Sequence, residues 1–96
     1  MRYLTVDGVL SGTGVRDAVA GGYIEPGELG LSPQLRAKIK AWLARYEDAH
    51  YRQFQDAKEV ANLDAKGIEI CREMRGEIPD SKIDYFSSAR MTVLFA

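Results

Sequence analysis

Ser32 to Glu59 reads SPQLRAKIKAWLARYEDAHYRQFQDAKE, and the fold turns on this stretch. Ser32 offers an N-cap oxygen, and Pro33 takes the first helical position, where no N–H is needed. Leu35, Ile39, Trp42, Leu43, Tyr46, His50 and Phe54 then fall on one face of a helix by their three- and four-residue steps. The pattern predicts a helix over roughly 33–54. Asp56-Ala57-Lys58-Glu59 fits a capping box, in which Asp56 accepts from the third helical N–H and Glu59 reaches back. A second helix follows at once, with the stripe Val60, Leu63, Gly67, Ile70, Cys71, Met74 and Ile78, and Pro79 stops it. So short a connection folds the two helices into an antiparallel hairpin.

Outside this hairpin the chain reads as strand and loop. The first thirty residues hold seven of the nine glycines, whose backbone entropy forbids a long helix there. Arg2-Tyr3-Leu4-Thr5-Val6 is β-rich and stops at the turn dipeptide Asp7-Gly8, which predicts an opening strand. Of the two shorter β-rich pieces, Val15 to Val19 and Tyr23-Ile24, the second is expected to be a strand, ended by Pro26-Gly27. Residues 82–86 and 91–95, separated by Ser87-Ser88-Ala89-Arg90, read as a terminal β-hairpin. The expected fold is α+β: an antiparallel helical hairpin packed on one face of a small, mostly antiparallel sheet, as a single domain over residues 1–96.

Equal rise along the two helices places Gly67 opposite Tyr46 and near Trp42, where a glycine makes room for an aromatic ring. The same geometry pairs Lys38 with Glu77 and Arg52 with Glu59, and sets Arg45 near Glu69 and Glu73. Lys38, Arg45 and Arg52 recur every seven residues, and internal pairing explains them better than a nucleic-acid stripe does.

Composition narrows the function. A chain of 96 residues, 46% hydrophobic and 28% charged, is an ordinary globular protein and too short for a multidomain enzyme. Its 13 basic and 14 acidic residues leave a net charge of −1, so no overall basic field attracts nucleic acid or anionic lipid. Neither a membrane-spanning apolar run nor a secretory pattern is present, which points to a cytoplasmic chain.

No catalytic or cofactor set emerges. One histidine and one cysteine cannot supply the ligands of a structural zinc, and His50 and Cys71 both read as packed positions on helical stripes. Gly12-Thr13-Gly14 lacks the lysine and following helix that would make it a phosphate loop. Charge is instead segregated. Residues 1–31 hold Asp7, Asp17, Glu25 and Glu28 against Arg2 and Arg16, whereas residues 32–54 hold five bases against two acids. Acids in a glycine-rich loop with a tyrosine, Tyr23, suit a surface that steers toward a basic protein partner.

Five stretches carry a family pattern: Val15-Arg16-Asp17, Gly30-Leu31-Ser32-Pro33-Gln34-Leu35-Arg36, Ala41-Trp42-Leu43-Ala44-Arg45-Tyr46-Glu47, Leu63-Asp64-Ala65-Lys66-Gly67-Ile68-Glu69 and Lys82-Ile83-Asp84-Tyr85-Phe86. With these, chiefly over residues 30–86, the chain resembles bacterial immunity proteins of contact-dependent growth inhibition systems. The resemblance implies a non-enzymatic inhibitor without cofactor that binds the toxic C-terminal domain of a large secreted protein, of a class that is often a nuclease. Asp7, Asp17, Tyr23, Glu25 and Glu28 are then the expected partner-binding residues. Two other readings stay open: an assembly subunit, homodimeric through a sheet edge, and a small nucleic-acid-binding domain using Lys38, Arg45 and Arg52.

Overall fold

The computed structural model describes residues 1–95. The chain runs β1 (Arg2–Asp7), β2 (Val15–Asp17), a 3-10 helix (Pro26–Leu29), α1 (Pro33–Tyr51), α2 (Ala57–Glu77), β3 (Ser81–Ser87) and β4 (Thr92–Phe95). The strands form one mixed sheet in the order β2-β1-β3-β4, and α1 and α2 pack against it, giving the expected α+β fold. Both outer pairings are antiparallel, whereas the central pair, β1 with β3, is parallel. A parallel pair requires a long crossover. The segment from Gly8 through both helices supplies it, which is why the helices lie between paired strands in sequence.

Both helix starts behave as their residues predict. Ser32 Oγ accepts from the Leu35 N–H at 3.2 Å, and Asp56 Oδ1 accepts from Lys58 and Glu59 N–H at 3.0 and 3.2 Å. The return half of the expected capping box is absent, however, because the Glu59 carboxylate accepts from Arg45 Nη2 at 3.1 Å instead. α1 also ends at Tyr51 rather than near residue 54. Gln53 and Phe54 adopt left-handed φ values of 58° and 53°, which reverse the chain within a few residues. Phe54 nonetheless keeps its place on the aromatic face, 4.6 Å from the His50 ring and 5.9 Å from Tyr46, centroid to centroid.

Because the chain turns back sooner than expected, the helix register shifts. Lys38 meets Glu73 at 2.7 Å and Glu69 at 3.3 Å, not Glu77. Arg45 meets Glu59, and Arg52 pairs with Asp48 on its own helix. All three bases of the seven-residue stripe are thus in ion pairs, with partners other than those expected. Glu77 instead holds the start of α1, accepting from Ser32 N–H and Oγ–H at 2.6 and 2.7 Å. Those bonds hold its carboxyl below the usual range.

Leu4, Val6, Val15, Ile39, Trp42, Tyr46, Leu63, Ile70, Met74, Ile83 and Tyr85 form one buried core between sheet and helices. Two glycines admit its largest rings. A β-carbon on Gly67 would lie well inside 3.0 Å of the Tyr85 ring, and one on Gly8 would lie equally close to Tyr46. Gly67 therefore faces the sheet, not Trp42 and Tyr46 of α1, which corrects the expected register. Tyr85 fills that space and donates its hydroxyl to Asp64 at 2.7 Å, while Trp42 Nε1 donates to Leu63 O at 2.9 Å. Arg90 Nε reaches the second Asp64 oxygen at 2.8 Å, and Ala89 N–H donates to the Tyr46 hydroxyl at 3.0 Å. These bonds fasten the β3–β4 turn to both helices.

The short strands differ from expectation. Val15–Asp17 is β2, whereas Tyr23 makes only an isolated bridge to Arg16 and Ile24 is in no strand. Val15 pairs with Val6 in a wholly buried position, and that burial outweighs the stronger β-propensity of Tyr23-Ile24.

The glycine–tyrosine fit inverts an ordinary rule. Gly67→Ala, which on an open helix gains about 1 kcal/mol, is expected to cost about 1–3 kcal/mol here because Tyr85 must move. Urea unfolding will show the sign, and a gain would place Gly67 away from the sheet. Arg45→Glu, at an exposed ion pair, is expected to lower stability by less than about 1 kcal/mol in the same assay.

Candidate functional site

The helices cover only one sheet face. Side chains alternate along a strand, so Leu4 and Val6 point into the core while Tyr3, Thr5 and Asp7 point to the opposite face. On β2 the Thr5 partner, Arg16, shares that outer face, and on β3 Lys82, Asp84 and Phe86 do so. Residues 8–31 border it.

Three residues meet where this loop crosses β1. Tyr23 donates its hydroxyl to Asp7 Oδ1 at 2.9 Å, and Arg16 Nε lies 3.4 Å from Asp7 Oδ2. The isolated bridge between Arg16 and Tyr23 is what brings the tyrosine over β1. Asp7 is 0% exposed, so it is not the surface acid its loop position suggests, and its carboxylate supports Tyr23 from beneath. Tyr23 remains 38% exposed. Burial, followed by the hydrogen bond to the negative Asp7, pushes its phenol up to about 12.

Asp17 shapes the neighbouring turn. Its Oδ1 accepts from Val19 and Ala20 N–H at 2.9 and 2.8 Å, which closes an Asx-type turn, and its backbone N–H donates to Gly22 O at 2.8 Å. The Ala20 and Val19 N–H groups hold its carboxyl below the usual range. Thr13 Oγ1 secures the loop from the other side, within hydrogen-bond reach of Val15 O at 3.0 Å and Ile24 O at 2.6 Å.

Glu25 and Glu28 sit apart from Asp7 and Tyr23, at the 3-10 helix, and both are exposed. They border an open groove of about 600 Å³ whose other wall is α1, with Arg36 and Lys40 on it. The five sequence-predicted residues thus divide between two neighbouring regions. Asp7 and Tyr23 join Arg16 on the sheet, Asp17 closes the turn beside them, and Glu25 and Glu28 face the groove. Arg36 and Lys40 escape the sequence reading, although their spacing of four on the side of α1 away from Lys38 and Arg45 is the signal that marks a separate basic row.

The nucleophile candidates are packed. Cys71 is fully buried, donates to Asp84 O at 3.5 Å, and has its thiol pushed up to about 12 by burial. His50 Nε2 lies 3.1 Å from Gly8 O, with its ring against Tyr46 and Phe54. Among the described residues no three His, Cys, Asp or Glu side chains are grouped to hold a metal ion, and no helix is long and apolar enough to cross a membrane.

Residues 11–88 match the family described as Serratia CdiI immunity protein-like. The chain belongs to this immunity-protein family. The match spans β2, both helices and all of β3, so it takes in most of the loop and the groove as well as the helical core. No curated protein and no solved structure matched the chain. As a CdiI-family immunity protein it is a toxin inhibitor and not an enzyme, and membership implies a cognate toxin domain as its partner.

Burial of the Tyr23 phenol, and after it the hydrogen bond to Asp7, make stability depend on alkaline pH. A folded-state phenol raised to about 12, against about 10 when unfolded, contributes stability that is complete below pH 10 and is lost as pH rises through about 12. Tyr23→Phe is expected to lower stability at pH 8 and to flatten this alkaline decline. Parallel denaturant melts at pH 8 to 12 will test it, and identical slopes in both proteins would sever the bond from stability.

Proposed function

We propose that this immunity protein acts in the cytoplasm and neutralises a nuclease toxin domain through the loop between β1 and α1, with Tyr23, Asp17, Glu25 and Glu28 in contact with the toxin. Asp7 contributes by holding Tyr23. The observation that carries this reading is the state of the loop: among the described residues Glu25 and Glu28 have no ion-pair partner, whereas Glu59, Glu69 and Glu73 of α2 are paired with bases of α1. A nuclease presents basic residues to hold phosphates, and acids fixed opposite them give steering and selectivity. Tyr23, braced by a hydrogen bond and more than a third exposed, is the kind of aromatic anchor on which interfaces depend.

An assembly role is the alternative favoured by a separate feature. β4 is an edge strand, and Met91, Val93 and Leu94 at it are 75%, 51% and 39% exposed, an unusually bare edge. Sedimentation of the isolated chain separates the two, since a stable dimer buries that edge.

Coexpression with the cognate toxin domain tests the function directly, by growth protection and by assay of RNA and DNA cleavage. Glu25→Lys with Glu28→Lys is expected to slow association about tenfold or more at low salt and to weaken its salt dependence. Tyr23→Ala is expected to act mainly on dissociation. Stopped-flow association over a salt series will show both effects, and rates indifferent to salt and to the reversals would move the interface off this loop.

A further inference from the structure

The groove beside the 3-10 helix holds more than acids. Glu25 and Glu28 stand on one wall, and Arg36 and Lys40 stand one helical turn apart on the other. Half-buried Pro26 and Leu43 supply apolar surface between them, over the buried Ile39. Three of the bases on or just after α1 (Lys38, Arg45, Arg52) are in ion pairs, whereas Arg36 and Lys40 have no carboxylate within 4.0 Å among the described residues. Arg36 runs along the 3-10 helix: its Nη1 lies 3.6 Å from where a β-carbon on Gly27 would be. The two walls are therefore close neighbours whose charges do not neutralise one another by contact.

We propose that this groove seats a mixed-charge segment of the toxin domain, in which an apolar side chain is flanked by a basic and an acidic residue. This rests on the immunity reading and changes its electrostatics. A purely basic segment would gain from Glu25 and Glu28 and lose as much to Arg36 and Lys40, because the two pairs cancel in charge. An anionic ligand such as a phosphate meets the reverse conflict. Only a segment with both signs satisfies both walls, and the apolar strip sets the spacing between them. The mixed walls also reject a wrong partner, since a toxin surface of single sign faces like charge on one side.

The test is titration calorimetry with the purified cognate toxin domain. The unaltered chain, Glu25→Lys/Glu28→Lys and Arg36→Glu/Lys40→Glu are compared. Simple attraction to a basic toxin predicts that the Arg36/Lys40 reversal tightens binding, whereas the groove proposal predicts that it weakens binding about tenfold or more, as the Glu25/Glu28 reversal does. Arg36→Gln/Lys40→Gln, which creates no new acidic cluster, is expected to weaken binding to a smaller degree. All four side chains are exposed, so unchanged thermal melts are expected and confirm that folding is intact. Equal or tighter binding by the Arg36/Lys40 variants overturns the groove proposal while leaving the immunity function standing. Absence of binding by the unaltered chain overturns the immunity reading and the groove together.

Discussion

Tyr85 rests where Gly67 has no side chain, and from that contact the rest of the molecule is organised. The ring is wholly buried, so its hydroxyl must find a partner, and Asp64 on the same helix provides it at 2.7 Å. Asp64 is in turn held by Arg90, which ties the β3–β4 turn to α2. One aromatic side chain thus sets the distance between helix and sheet, the rotation of α2 and the path of the terminal hairpin. Gly8 and Tyr46 repeat the arrangement at α1, where the Tyr46 hydroxyl accepts from Ala89 N–H.

Rigidity of this kind has a consequence for the proposed binding surface. With the sheet fixed, β1 presents Asp7 at a set position, and the buried carboxylate can hold Tyr23 in one orientation. Pre-ordering of an anchor reduces the entropy lost on association. The same division of labour runs through the helices. Lys38 and Arg45 of α1 pair with acids of α2, whereas Arg36 and Lys40, on another side of α1, face the groove. On the proposed reading, the toxin contacts lie in the loop and its borders, while the helical hairpin holds them in place.

Much of this was legible in the residues. Ser32-Pro33, Asp56 and Pro79 marked helix ends through local hydrogen-bond chemistry, which depends only on neighbours in sequence. The aromatic stripe of α1 appeared through its period, and Phe54 kept its place on that face even after the helix had ended. Glu59 shows the limit: as the fourth residue of a capping box it had a local partner on paper, but Arg45 across the hairpin offered a full opposite charge. The acids of the first thirty residues were found by composition alone, which cannot separate buried Asp7 from exposed Glu25 and Glu28.

By itself, then, the order of residues determined the helical hairpin, the opening and closing strands and the segregation of charge, because periodicity, caps and turn residues act over a few positions. The tertiary structure decided which acid was buried, that Val15–Asp17 and not Tyr23-Ile24 completed the sheet, and which side chain filled the space at Gly67. It also decided that Arg36 and Lys40 would face Glu25 and Glu28 across a groove. Each of these depends on two segments far apart in sequence competing for the same volume or the same charge, and only the folded chain brings the competitors together.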